Sequence, residues 1–204
     1  MTQKISRKFF PDLRTTVMID KILNKEMTIK EFATICGTVD TDEYNERRDF
    51  MEANRKLFPE DYASGRTNYI KFQRIICTLS NGLITYGGQG KGLPDCYVGD
   101  QWCETKAYSP KGRVTDVAAS GFFGNNCNVG EWKLLKEQSD QAAKDFLFER
   151  SYNKNAYYCL TGTKKCDTPF EQVKLIFVTK DTLIKHLKDD YRKLDLASLR
   201  GALK

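Results

Sequence analysis

Histidine is nearly absent from this chain: its 204 residues include one, His186. A single imidazole excludes mechanisms that need two, which removes nucleases built on histidine bases and histidine-rich zinc sites. A Ser-His-Asp arrangement would have to use His186, and no Gly-x-Ser-x-Gly segment accompanies it. An exposed histidine beside Lys185 and Lys188 on a terminal helix is the better reading. CxxC is missing too. The seven cysteines, at 36, 77, 96, 103, 127, 159 and 166, are odd in number, and the spacings Cys96/Cys103 and Cys159/Cys166 match no common zinc or iron–sulfur ligand run. They read as reduced thiols serving as small hydrophobes. No run approaches the roughly 18 apolar residues of a membrane span, and the opening MTQKISRKFFPDLRTT lacks the apolar centre of a signal peptide. A cytoplasmic protein with no membrane partner is expected. The cluster GGQGKG lacks the spacing of a phosphate loop, so it reads as a bend that brings backbone close to a ligand.

What the chain has in surplus is positive charge and aromatic surface. The net charge is +6, the pI is about 8.8, and there are 10 Tyr and 12 Phe. That balance suits a polyanionic partner. The length suits one domain with a real core. Within it, residues 1–62 read as an N-terminal helical region packed on the core, and residues 63–204 as the core itself.

Along the chain, a helix is expected over residues 17–23. Thr28-Ile-Lys-Glu31 is a capping box that opens a second helix, and Gly37 is its stop. A third helix starts at Asp40 or Thr41 and ends before Pro59. The pair around CGTVDT is either a helix-turn-helix that positions DNA or, preferably, a helical hairpin that covers the core. Residues 66–80 carry Tyr69, Ile70, Phe72, Ile75, Ile76 and Leu79, the density of a well-buried helix, closed by Asn81-Gly82. LITYG then reads as the first strand. Residues 131–150 read as a long helix, AYYCLTGT and VKLIFVT as two further strands, and the remainder as one or two amphipathic helices that pack on their own domain.

The segment over residues 87–111 organises the rest. If Cys96–Val98 and residues 101–108 are strands joined by a Gly99-Asp100 turn, counting outward sets the register. Val98 faces Gln101, Tyr97 faces Trp102, Cys96 faces Cys103, and Asp95 faces Glu104. Opposed residues point to one side, and the period of two puts Lys106 there as well. Two like charges placed opposite each other need something positive between them, and a divalent cation is the natural candidate.

Pro94-Asp95, eight intervening residues, then Glu104-Thr105-Lys106 resembles the PD-(D/E)XK motif of restriction-endonuclease-like nucleases. The resemblance implies an α/β fold with a mixed central β-sheet flanked by helices. It implies that Asp95 and Glu104 hold Mg²⁺, with Mn²⁺ able to substitute, and that Lys106 assists the attacking water. It also implies that the segment past the lysine faces DNA. Lys111 and Arg113 would then contact phosphates. Asn125, Asn126 and Asn128 would read base edges, or would instead serve turn conformations. Family members often borrow one further acid from a helix, here one of Glu43, Glu46, Asp49 and Glu52. On the other reading these four form a solvated face with Arg47, Arg48 and Arg55.

The expectation is therefore a Mg²⁺-dependent nuclease cutting double-stranded DNA, most like a type II restriction endonuclease acting as a homodimer. A junction resolvase or a phage or homing endonuclease would share every residue used. The rival class is a non-catalytic basic DNA-binding protein, for which Asp95 and Mg²⁺ would be irrelevant.

Overall fold

A computed structural model describes residues 13–57, 65–88, 93–108, 134–135, 137–139, 141–142, 155–163, 168–187 and 194–203. Its centre is a six-stranded mixed sheet in the order β1-β6-β5-β4-β3-β2. The strands are β1 (Lys25–Thr28), β2 (Ile84–Tyr86), β3 (Cys96–Val98), β4 (Gln101–Ala107), β5 (Asn155–Thr161) and β6 (Lys174–Thr179). Every neighbouring pair is antiparallel except β4 and β5, which run parallel. Parallel neighbours need a long crossover. Here it spans the chain from Tyr108 to β5, and the described residues within it, between 134 and 142, are largely helical.

Helices flank the sheet because its strands are apolar on both faces. On one side Cys103, Cys159, Leu175 and Phe177 join a core with α1 (Leu13–Ile22), α2 (Ile29–Cys36), α3 (Asp42–Leu57) and α4 (Gly65–Leu79). On the other, Tyr158, Leu160, Ile176 and Val178 pack with α5 (Lys180–Lys185), α6 (Leu196–Ala202) and Leu135 of the crossover. Each fully buried side chain of this size contributes about 1.5–3 kcal/mol. The stacked pair Phe32 and Phe177, with centroids 5.6 Å apart, ties α2 to the sheet.

The helix starts follow their caps. Thr28 Oγ1 accepts from Glu31 N–H at 3.1 Å while Glu31 Oε2 accepts from Thr28 N–H at 2.6 Å, the expected reciprocal box, and Gly37 closes α2 with φ 72°. Thr41 Oγ1 accepts from Tyr44 N–H at the start of α3. Phe32, Ala33 and Cys36 of α2, with Tyr44 and Met51 of α3, are buried in the first core, so this helix pair covers the core.

One finding differs from the sequence reading. Lys25–Thr28 is a strand, paired with β6 from Lys25↔Phe177 to Thr28↔Lys174. The N-terminal region thus contributes a sheet edge as well as helices, and shares one core with the rest. The final stretch forms two helices, within the expected one or two, with His186 capping α5 and Asp195 capping α6. No helix among the described residues is long and apolar enough to cross a membrane.

Candidate active site

The hairpin of β3 and β4 has the register that counting from its turn predicts: Val98↔Gln101, Tyr97↔Trp102, Cys96↔Cys103. Gly99 makes the turn possible. Its φ is 62°, and Asp100 is not among the residues of positive φ, the pattern of a two-residue turn with glycine first. Alternation along β4 then divides its side chains. Cys103 and Thr105 are buried toward α4, while Glu104 and Lys106 lie on the opposite face in line with Tyr158 and Leu160 of β5.

Asp95, Glu104 and Lys106 come together where the hairpin opens. Lys106 Nζ donates to Glu104 Oε1. Glu104 is 18% exposed and Lys106 25%, so the pair is half withdrawn from water. Burial raises the Glu104 carboxyl above the ordinary carboxylate range; the Lys106 ammonium pulls it back, and the Asp95 carboxylate pushes it up again. Asp95 itself is held differently. Its Oδ2 accepts from Thr105 N–H at 2.9 Å and from Thr105 Oγ1 at 3.0 Å. Among the described residues nothing bonds to Asp95 Oδ1 or to Glu104 Oε2.

Backbone approach sets where Asp95 sits. Gly87 N–H donates to Asp95 O at 3.0 Å, and a Cβ on Gly87 would lie 2.1 Å from Pro94 O. Only glycine lets the end of β2 lie this close to the start of β3. A ladder irregularity between Trp102 and Cys103, where β4 meets β5, adjoins Glu104.

Comparison with known proteins adds no assignment. No family model, curated protein or solved structure matches this chain.

Two carboxylates lie close together, each with one oxygen not taken by the described residues, and one ammonium offsets only part of their charge. That donor set fits a hard divalent cation that takes one or two carboxylates and keeps its waters. Among the described residues no three His, Cys, Asp or Glu side chains gather at a possible metal position, so these two carboxylates are the donors such an ion would meet.

The acids of α3 lie elsewhere. Glu52 accepts from Phe170 N–H through Oε1 and from Arg55 through Oε2, and Asp49 pairs with Arg48 at 3.0 Å. Glu43 and Glu46 are exposed. This helix packs on the sheet face opposite Glu104, so Glu52 has a structural role in tying α3 to the turn at Phe170–Gln172. Lys111, Arg113, Asn125, Asn126 and Asn128 lie outside the described residues.

His186 Nδ1 lies 2.9 Å from Ser198 Oγ. The nearby Asp195 accepts from Ser198 N–H as a helix cap and makes no bond to the imidazole, so no relay of the three side chains is formed. The five described cysteines are free thiols, and Cys36, Cys96, Cys103 and Cys159 are buried as small apolar groups.

Sequence reading missed Gln73. It sits on α4, 1% exposed, and its Nε2 donates to Thr105 Oγ1 at 2.6 Å. Its neighbours on the same helical stripe, Cys77 and Ser80, also meet the strands: Cys77 Sγ is 3.7 Å from Cys96 Sγ, and Ser80 Oγ bonds both the N–H and the carbonyl of Ile84.

Proposed function

We propose that this chain is a Mg²⁺-dependent endonuclease of the PD-(D/E)XK kind that hydrolyses phosphodiester bonds in double-stranded DNA, acting as a homodimer in the manner of a type II restriction endonuclease. One observation carries the reading: where the hairpin opens, just beyond its counted register, Asp95 bonded to Thr105 lies near enough to Glu104 for their charges to interact, and Lys106 bonds Glu104. The order of elements supports it. A buried helix, a strand, the acid-bearing hairpin and a crossover to a further strand in a mixed sheet is the order the resemblance calls for.

In this reading Asp95 and Glu104 supply anionic oxygens, and Lys106 supplies a cation that is already oriented by Glu104. When bound, Mg²⁺ would polarise the scissile phosphate and lower the pKa of a coordinated water. Lys106 Nζ would hold the attacking water or a phosphate oxygen by hydrogen bonds and meet the negative charge that develops on the phosphoryl oxygens. Water oxygen bonds to phosphorus as the bond to one sugar oxygen breaks. The products are an alcohol and a phosphate monoester, which family resemblance places on the 5′ side. Burial of Glu104 strengthens these contacts, because charges interact more strongly where water is excluded.

The test is incubation of plasmid, phage and branched DNA with the protein and Mg²⁺, beside Asp95→Ala, Glu104→Ala and Lys106→Ala variants and a chelator control. Discrete fragments from the wild type alone are expected. Intact DNA in every lane would sink the nuclease reading. Salt-dependent binding without cutting would assign the chain to basic DNA-binding proteins instead.

A further inference from the structure

We infer that Gln73 is a positioning residue: its buried amide directs the Thr105 hydroxyl onto Asp95, so that Asp95 is locked through Oδ2 and offers only Oδ1 to a divalent cation. This rests on the reading of Asp95 as a metal ligand, and it extends that site into α4.

Proton counting carries the inference. Thr105 Oγ1 lies 3.0 Å from Asp95 Oδ2 and 2.6 Å from Gln73 Nε2. An ionised carboxylate can only accept, and a hydroxyl has one proton to give. Thr105 therefore donates to Asp95 and must accept from Gln73. Only the NH₂ end of an amide can make that donation, so the orientation of Gln73 follows from the charge on Asp95. The consequence is visible at the other end of the amide. Among the described residues, the buried Gln73 Oε1 has no hydrogen-bond partner.

Leaving a buried acceptor unpaired is unfavourable, and such atoms are uncommon in folded proteins. Reversing the amide would not rescue it without harm. Oε1 would then compete with Asp95 for the one Thr105 proton. The Thr105 N–H at 2.9 Å provides a second donor to the same carboxylate oxygen, so Asp95 is pinned by two bonds from one residue. That residue sits between Glu104 and Lys106 in sequence. Its side chain faces α4 while theirs face away, so the strand itself couples the helix to both acids.

Groups that orient a metal-binding carboxylate typically change metal affinity by about 10–100-fold when removed. The experiment measures Mn²⁺ binding by electron paramagnetic resonance in the full chain. It compares wild type, Asp95→Ala, Gln73→Met, Thr105→Val, Thr105→Ser and the Gln73→Met/Thr105→Val double variant, with thermal midpoints taken on each. Methionine keeps the volume of Gln73 without its donor. Weakening of about tenfold is expected in Gln73→Met and in Thr105→Val. Thr105→Ser should retain affinity, and the double variant should lose no more than the singles, because one relay is broken in each. In cleavage assays Gln73→Met should raise the Mg²⁺ concentration for half-maximal rate while the rate at saturating Mg²⁺ is kept.

Gln73→Met binding Mn²⁺ as wild type does, while Asp95→Ala does not, would overturn the positioning role and leave the metal reading standing. A wild-type chain that binds no Mn²⁺ would overturn both. Should Gln73→Met fail to fold, the contrast between Thr105→Val and Thr105→Ser carries the same decision.

Discussion

Replacing Gly87 by alanine is the most severe small change available near the candidate site, and its cost can be worked out from contacts. A Cβ at Gly87 meets Pro94 O at 2.1 Å and Pro94 C at 2.9 Å, both backbone atoms that cannot swing away. The first distance falls roughly 1 Å or more short of ordinary contact. Relieving it must part β2 from β3 and stretch the 3.0 Å bond from Gly87 N–H to Asp95 O. Overpacking of this sort costs about 1–3 kcal/mol, and a lost backbone hydrogen bond about 1 kcal/mol more. For a chain of this size the total of about 2–4 kcal/mol lowers the melting temperature by roughly 5–15 °C. Gly99→Ala is the matched control. Nothing lies within 4 Å of its Cβ and only its φ of 62° is strained, so it should cost about 1 kcal/mol. Circular dichroism melts of the two variants, with Mg²⁺-dependent cleavage on the same preparations, make the comparison. Gly87→Ala should melt lower and lose cleavage as Asp95 shifts, while Gly99→Ala keeps both nearly intact. Equal melting of the two would refute the close-approach argument.

Other outcomes follow from the same geometry. Burial raises the Glu104 carboxyl, so the folded state holds its proton at pH values where the unfolded chain has released it; this group's contribution to stability is present below the unfolded value and is lost as pH rises through the raised one. Glu104→Gln should therefore flatten the melting temperature against pH in the window above the ordinary carboxylate range, and an unchanged profile would count against the burial argument. Mg²⁺ should raise the melting temperature of the wild type, by about 2.7 kcal/mol of stabilisation at a hundred times its dissociation constant, and leave Asp95→Ala unmoved; equal shifts in the two would place the ion elsewhere. Cys77 is partly exposed with its thiol lowered by Cys96, while burial raises Cys36, Cys103 and Cys159. Among these four, mass spectrometry after brief alkylation should find Cys77 modified first, and earlier labelling of any other would contradict the packing described.

The hairpin was legible because a two-residue turn with a glycine leaves one register, and the register assigns every side chain a face. That is why the sequence alone places Cys96 and Cys103 opposite each other on the face away from Glu104. Capping was legible for a similar reason, since Thr28 and Glu31 satisfy each other locally. β1 was not. KEMT has one buried residue and no alternation, and it is a strand only because β6 offers it a ladder. Gln73 was hidden for the opposite cause. A polar residue on a helix reads as solvent-facing until the sheet beneath it is known to carry Thr105. The acids of α3 looked interchangeable in sequence, and tertiary contacts distinguish Glu52, which holds Phe170, from three exposed neighbours.

The single parallel junction in the sheet has a kinetic meaning. β3 and β4 meet through a two-residue turn, a closure that unfolded chains make within microseconds. Lys106 and Leu160 pair only after the whole crossover has been gathered in. Loop closure over such a span is slow, and the acids are juxtaposed long before the sheet beside them is complete. During that interval Asp95 and Glu104 repel each other in open water with Gln73 not yet docked. Folding is therefore expected to quicken when cations screen the nascent hairpin, an effect that would be seen in refolding rates even where the final stability barely moves.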